Sequence, residues 1–235
     1  MSTFFRRSRG ALVALLFVAG AAAAPAHAAD PAATPVSVFA AASLTAAFKT
    51  AGAAYEASHP GSKVAFNFAG SPTLVQQLRE GAPADVFASA DEPNMQKLVD
   101  AGLVAGTPRI FAQNLLQIVV GKGNPKGIAG LADLTKPGLI VVLCGETVPA
   151  GRYALEAFKK AGVTPPAGSR ELDVKAVVTK VSLGEADAGI AYVTDVRAAA
   201  TTVEGVGLPA AQNVTARYPI AALRDAKHPE DARAF

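Results

Sequence analysis

The chain is poor in the residues that form covalent cross-links and reactive centres. Its 235 residues include one cysteine, three histidines and no tryptophan. One cysteine excludes an internal disulfide. Cys144 lies in an apolar run that predicts a buried strand residue, with a free reactive thiol as the alternative. No H-E-x-x-H, paired-cysteine or EF-hand spacing occurs, so we expect neither a metal held directly by protein ligands nor a cofactor.

The pattern of an activated nucleophile is also missing. The segment AGSPT around Ser71 is not the G-x-S-x-G turn of a serine hydrolase. Beyond residue 28 the imidazole bases are His59 and His228, and each precedes a proline at the edge of a predicted helix. Those positions favour surface or capping roles. A secreted hydrolase is therefore the least favoured reading, and we expect a protein that is not an enzyme.

Long apolar runs are confined to the N-terminus. Three arginines within residues 1–10 precede an apolar run at residues 11–24, and residues 26–28 (Ala-His-Ala) match a small-x-small cleavage site. We interpret residues 1–28 as a signal peptide for general secretion, with twin-arginine export as the alternative. No later run approaches the ~18 apolar residues of a membrane span. A soluble periplasmic protein is expected.

The formal charge of +3 comes from the predicted signal peptide, residues 1–28, which carries three arginines and no acid. Beyond it the chain has 19 basic and 19 acidic residues. A protein that binds nucleic acid is expected to present an excess of positive charge. We therefore expect no nucleic-acid partner.

From residue 36 onward, β-type runs alternate with helical stretches, and residues 25–35 form a Pro/Ala leader. The predicted strands are 36–41, 63–68, 85–88, 115–120, 139–143, 188–193 and 215–220. The predicted helices are 44–58, 73–80, 93–101, 151–161, 174–183 and 195–200. Such alternation predicts an α/β fold in which parallel sheets are covered by helices.

Four predicted helices begin with a serine, a small residue or an N-cap directly after a strand. The segments are FAAASLTAAF with Ser43, FAGSPTLVQQL with Ser71, VPAGRYALEAF with Ala150, and ELDVKAVVTK with Val174. The first N–H groups of a helix have no intrahelical partner and lie at the positive end of the helix dipole. Several such ends at one cavity can hold an anion. A serine at such a position, taken singly, is more often an N-cap than a ligand contact, and what favours the ligand is that both serines follow the carboxyl ends of strands.

The small residues of the third segment, Pro149-Ala150-Gly151, would let a ligand approach the backbone closely.

These residues carry a family resemblance. The segments are AAASL (40–44), AGSPTLVQQLREGAPADVFASAD (69–91), VPAGRYALEAF (148–158) and GIAYVTD (189–195). In order and spacing they resemble the periplasmic molybdate-binding proteins of ABC importers. The likeness extends from about residue 36 to residue 235, and GAPADVFASAD is its most specific block.

The resemblance implies a two-lobe, type 2 periplasmic-binding-protein fold, with mainly parallel sheets, crossing strands and an oxyanion in the cleft. The lobes would be 29–112 together with 215–235, and 113–214. The implied ligand-binding residues are Ser43, Ser71, Ala150, Val174 and Tyr192. Molybdenum would be bound only as its oxyanion through these residues. The resemblance alone, and no local pattern, points to Tyr192.

The implied function is capture of molybdate or tungstate by a monomer that delivers the anion to the membrane permease of an ABC importer. A binding protein for sulfate, phosphate or an organic anion is the main alternative. A ligand-sensing regulator is disfavoured by the signal peptide and by the absence of a segment that reads DNA.

Two features depart from the family. Pro72 stands where the family often has a small polar residue, which removes one potential backbone donor beside Ser71. The family also continues past residue 235 through a further helical tail. We therefore expect residues 228–235 to begin a helix, and Ile220, Leu223 and Phe235 to be partly exposed.

Overall fold

Residues 35–235, together with Met1, are described in the computed structural model. Apart from Met1, the predicted signal peptide and its cleavage site lie outside the described residues. Among the described residues, no helix has both the length and the apolar character needed to cross a membrane.

The described chain folds into nine strands and seven helices. The strands are β1 Val36–Ala41, β2 Val64–Ala69, β3 Val86–Ala88, β4 Arg109–Gly121, β5 Val141–Cys144, β6 Arg170–Glu171, β7 Ala188–Tyr192, β8 Val203–Gly207 and β9 Thr215–Ala222. The helices are α1 Thr45–Ser58, α2 Ser71–Arg79, α3 Glu92–Asp100, α4 Pro149–Ala161, α5 Val174–Ser182, α6 Val193–Ala198 and α7 Pro229–Ala234. Short 3₁₀ turns occupy Ala42–Leu44 and Leu131–Thr135.

The strands form one curled sheet in the order β2-β1-β3-β9-β4-β7-β5-β6, with β8 also paired to β4. The parallel pairs are β1 with β2 and β3, and β5 with β6 and β7. Every antiparallel pair involves β4 or β9. We call β1–β3 with α1–α3 the first half, and β5–β8 with α4–α6 the second half.

Strands β4 and β9 connect the two halves. The beginning of β4 pairs with β9, whereas Leu116–Val120 of the same strand pair with β7. The predicted α/β fold with helix-covered sheets is confirmed. The predicted lobe limits at residues 112 and 214 stay a prediction.

Helix ends follow from local sequence. The Asp91 side chain accepts a hydrogen bond from the Asn94 N–H at 2.9 Å and caps α3. The Asp173 side chain does the same for α5 through the Ala176 N–H at 3.0 Å. Gly162, in the left-handed region at φ 67°, ends α4. Each of the two aspartate caps contributes about 1 kcal/mol of helix stability.

The core fills both faces of the sheet, as expected for parallel strands covered by helices. Along β1, Val38 and Ala40 face the main core, whereas Phe39 faces a second cluster with Leu74 and Phe87. This alternation follows from the two-residue period of a strand. Cys144 is buried in β5, and burial raises the pKa of its thiol, so the prediction of a buried strand residue is confirmed.

The predicted helices agree with the structure to within two residues, and one strand differs more. Strand β4 begins at Arg109, six residues before its predicted start, because its first part pairs with β9 while keeping several side chains exposed. Strands β6 and β8 were not predicted. The first has two residues, and the second contains two glycines and a glutamate, which weaken a strand pattern.

The expected exposure near the C-terminus is partly wrong. Leu223 is buried, because its N–H donates to the Asp85 carbonyl at 2.8 Å and its side chain joins the second core cluster. Ile220 and Phe235 are half-buried. The Phe235 ring packs against Phe48, with ring centroids 5.8 Å apart. The predicted helix at 228–235 is observed as α7.

Gly151 lets α4 pack closely against the end of β5. A Cβ at this position would lie 2.5 Å from the carbonyl oxygen of Cys144 and 2.8 Å from its carbonyl carbon. Those distances are well inside van der Waals contact. The space beside Gly151 is therefore filled by the preceding strand, whereas the sequence indicated space for a ligand.

We expect Gly151→Ala to lower the melting temperature, because the added methyl group must displace the backbone of β5. Overpacking of this kind costs about 1–3 kcal/mol. Gly207→Ala is the matched control, since a Cβ at Gly207 meets no atom of the described residues within 4 Å. Differential scanning calorimetry on both variants tests this expectation, and equal melting temperatures would contradict it.

Candidate functional site

The structure places all five predicted site residues on one small cavity between the two halves. Its volume, as the space open to the centre of a water-sized sphere, is about 10 Å³. The lining comprises residues 41–43, Gly70, Ser71 and Ala90 from the first half, and residues 148–150, Asp173, Val174 and Tyr192 from the second. Sites for drug-sized molecules are commonly about 300–1,000 Å³. The cavity therefore suits a ligand of only a few atoms.

The two serines meet because the strands that precede them are parallel neighbours. Ala41 at the end of β1 is paired with Ala69 at the end of β2. Ser43 lies in the 3₁₀ turn after β1, and Ser71 is the first residue of α2 after β2. Parallel strands that end side by side bring the following loops to one edge, where α/β sheets bind ligands.

Neither serine caps its helix, so the simple capping interpretation is wrong. The turn after β1 has Ala41 at its N-cap and α2 has Gly70, and neither end has a side-chain cap. The Ser71 hydroxyl accepts a hydrogen bond from the Ala90 N–H at 3.1 Å. The Ser43 hydroxyl lies 3.1 Å from the Tyr218 hydroxyl. Both hydroxyls therefore contact residues outside their own helices.

The second half contributes the beginnings of two helices. Ala150 lies in the first turn of α4, and Val174 is the first residue of α5. Both residues are buried and line the cavity. Backbone N–H groups at these positions have no partner within their helix and carry the positive end of its dipole.

Tyr192 supplies a hydroxyl that is buried and has no hydrogen-bond partner among the described residues. It is the last residue of β7, and its side chain lines the cavity. Burial raises the pKa of this phenol well above its ordinary value, so it keeps its proton. A buried donor without a partner is costly unless a ligand accepts from it.

The cavity is lined by neutral donors. None of the described residues that line it is Lys, Arg or His. Asp173 is the acid in the described lining, and its carboxylate caps α5. The described residues also contain no cluster of three His, Cys, Asp or Glu side chains that could hold a metal ion. Hydroxyl and N–H donors that converge without acceptor clusters are suited to a small oxyanion.

Two cationic side chains beside the cavity are each paired with a buried acid. Arg152 of α4 forms an ion pair with Asp91, which is fully buried. Lys175 of α5 has its Nζ 3.2 Å from Oδ1 of Asp195, which is also buried. The positive charges are therefore neutralised by protein groups before a ligand binds.

The two halves approach closely at two points around the cavity. The Asp91–Arg152 pair joins the first half to the second. A Cβ at Gly70 would overlap the Leu172 carbonyl oxygen across the cleft. No local pattern predicts these contacts, because the partners lie far apart in sequence.

Pro72 is the second residue of α2 and has no N–H to donate. It is not among the residues that line the cavity. Its effect on ligand contacts from the first half stays a prediction.

Residues 36–235 match the family of bacterial extracellular solute-binding proteins. The molybdate-binding protein ModA of Mycobacterium tuberculosis H37Rv is 45% identical over 95% of this chain and 88% of that protein. The periplasmic molybdate-binding protein of Azotobacter vinelandii has a similar structure, with a TM-score of 0.74 at 18% identity over 85% of this chain and 90% of that one. The sulfate-binding protein SubI of Mycobacterium tuberculosis gives 0.75 at 22% identity over 86% and 79%. These two structures show the fold.

Asp195 gives the site region a pH-dependent stability. Burial raises the pKa of this carboxyl from 3.8 to about 6, although Lys175 lowers it in part. Because the folded-state pKa is the higher one, the folded protein binds a proton more readily than the unfolded chain between these values. The contribution of Asp195 to stability is therefore greatest below pH ~4 and falls as the pH rises through ~6.

We expect Asp195→Asn to remove this dependence. Relative to the variant, the wild type should lose up to about 3 kcal/mol of unfolding free energy between pH ~4 and ~7. Urea unfolding of both proteins across this range measures the difference. Asp225→Asn is a control of opposite sign, since Arg224 lowers the pKa of the exposed Asp225 carboxyl. A wild-type-to-Asp195→Asn difference that stays constant with pH would contradict the expectation.

Proposed function

This chain belongs to the family of bacterial extracellular solute-binding proteins, and we propose that it captures molybdate, and also tungstate, in the periplasm. In this proposal the protein acts as a monomer, and the loaded form is recognised by the membrane permease of an ABC importer. It performs no chemistry on the anion and needs no cofactor. Molybdenum enters only as the oxyanion, without direct protein ligands.

The observation that supports the proposal is the convergence of Ser43, Ser71, Ala150, Val174 and Tyr192 on one cavity without a free cation among its described lining residues. A tetrahedral dianion has four oxygens, each able to accept more than one hydrogen bond. Three hydroxyl groups and the N–H groups at the helix beginnings can satisfy them. Hydrogen bonds to an ionised group contribute about 1.5–3 kcal/mol each. Several together can offset the cost of removing the anion from water.

The geometry of the cavity supports molybdate over sulfate less than the sequence does, because both are tetrahedral dianions and the fold is shared with a sulfate-binding protein. The support comes from sequence. The relative that is 45% identical over most of the chain is named for molybdate, whereas the likeness to SubI is at 22% identity.

Isothermal titration calorimetry of the mature protein with molybdate, tungstate, sulfate and phosphate tests the function. We expect molybdate and tungstate to bind far more tightly than the other two anions. A tightly bound ligand should also raise the melting temperature, since a thousandfold excess over Kd adds about 4 kcal/mol of stability. Equal affinity for sulfate, or preference for it, would contradict the proposal and favour a sulfate-binding protein.

The serine hydroxyls give a second prediction. We expect Ser43→Ala and Ser71→Ala each to weaken molybdate binding by roughly 10- to 150-fold, because each removes a donor to a buried anion. Ser71→Ala should also lower the melting temperature of the ligand-free protein, since it leaves the buried Ala90 N–H without its acceptor.

Ser58→Ala is the matched control. The Ser58 hydroxyl donates to the Ala54 and Tyr55 carbonyls at the exposed end of α1, and it does not line the cavity. Its affinity should equal that of the wild type. If Ser43→Ala and Ser71→Ala also bound molybdate like the wild type, neither serine would be a ligand donor.

A further inference from the structure

We infer that Tyr218 is a positioning residue for the anion site, because its hydroxyl donates to Ser43 and thereby directs the single Ser43 proton into the cavity. This inference rests on the proposed function. Tyr218 is not among the cavity-lining residues, and it acts on the ligand through Ser43.

The position of Tyr218 brings it to donors from both halves. It lies on the crossing strand β9, where it pairs with Ala112 of β4, and its side chain is 1% exposed. Its hydroxyl is 3.1 Å from the hydroxyl of Ser43, which belongs to the first half. Its ring packs edge-to-face on Tyr192 of the second half, with ring centroids 5.8 Å apart at 64°. One buried side chain therefore contacts two of the three hydroxyl residues of the site.

The direction of the Ser43–Tyr218 hydrogen bond decides whether the Ser43 proton is free for a ligand. A serine hydroxyl has one proton and can accept two hydrogen bonds. The Ser71 hydroxyl accepts from the Ala90 N–H, which can only donate, so the Ser71 proton is free for a ligand. The Ser43 proton is likewise free for a ligand only when the Tyr218 hydroxyl donates to Ser43. If Ser43 instead donated to Tyr218, its proton would not be available to a ligand. An oxyanion would then face a lone pair of the Ser43 oxygen.

An anion in the cavity favours the first direction, in which Tyr218 donates to Ser43 and Ser43 donates to the oxyanion. Hydrogen bonds in such a chain polarise one another, which strengthens the last one. The Tyr218 phenol keeps its proton for this purpose, because burial raises its pKa. The Tyr218 ring also packs edge-to-face on Tyr192, which carries the second hydroxyl donor.

Tyr218→Phe isolates the hydroxyl, because it retains the ring and its packing. We expect this variant to bind molybdate about tenfold more weakly than the wild type, with a ligand-free melting temperature close to that of the control below. In the Ser43→Ala background the same change should alter Kd by less than about twofold, since the serine proton it directs is gone. In the Ser71→Ala background it should keep its full effect, because Ala90 orients that serine separately.

Tyr55→Phe is the matched control for loss of a tyrosine hydroxyl. The Tyr55 hydroxyl donates to Asp231 Oδ1 at 2.9 Å and does not line the cavity. We expect it to leave Kd unchanged. Titration calorimetry with molybdate on the wild type and on the single and double variants gives two double-mutant cycles, one for Tyr218 with Ser43 and one for Tyr218 with Ser71. Thermal unfolding without ligand shows that each variant is folded.

Two results would overturn the inference while leaving the proposed function intact. One is molybdate binding by Tyr218→Phe equal to that of the wild type. The other is the same loss in the Ser43→Ala and Ser71→Ala backgrounds, which would indicate a general structural effect. Failure of the wild type to bind molybdate or tungstate would instead refute the proposed function, and the positioning role with it.

Discussion

A small anion that is removed from water must accept hydrogen bonds from the protein instead. Each group that faces the anion therefore needs a proton to donate. Under the proposed function, this requirement accounts for the arrangement of the cavity. The Ser71 hydroxyl accepts from a backbone N–H, which leaves its own proton free. The Tyr192 hydroxyl is buried without a partner among the described residues. The helix beginnings at Ala150 and Val174 present N–H groups that their helices cannot use. A different local structure leaves each of these donors without a partner of its own, and the residues that carry them line the same cavity.

The same requirement explains the treatment of positive charge. A free Lys or Arg in the cavity would attract any anion, whereas oriented neutral donors also demand a particular shape. Arg152 and Lys175 lie on the helices that begin at the cavity, yet Asp91 and Asp195 neutralise them. Both acids are buried, and a buried carboxylate is tolerated only with a partner. The ion pairs therefore fix the beginnings of α4 and α5 while leaving recognition to neutral groups.

The part of the site that sequence can predict is the part built from local patterns. Ser43, Ser71, Ala150 and Val174 each follow a strand at the start of a helix, and the parallel pairing of β1 with β2 brings the first two together. Tyr192 has no such pattern and was reached only through the family resemblance. Tyr218 and the Asp91–Arg152 pair were missed, because their partners lie 61 to 175 residues away in the chain. The alternative interpretation of the serines as helix caps is wrong, and sequence could not exclude it because a cap and a ligand donor have the same local sequence.

The crossing strands bring donors of the two halves to one cavity. Strand β9 runs between the halves, so Tyr218 on it reaches Ser43 on one side and Tyr192 on the other. The cleft narrows further where Gly70 meets the Leu172 carbonyl, a contact that a larger residue could not make. With the halves apart, Ser43 and Ser71 would face one side and Ala150, Val174 and Tyr192 the other. In the structure both sets line one cavity, and the strand that runs between the halves also carries the side chain that contacts residues of both sets.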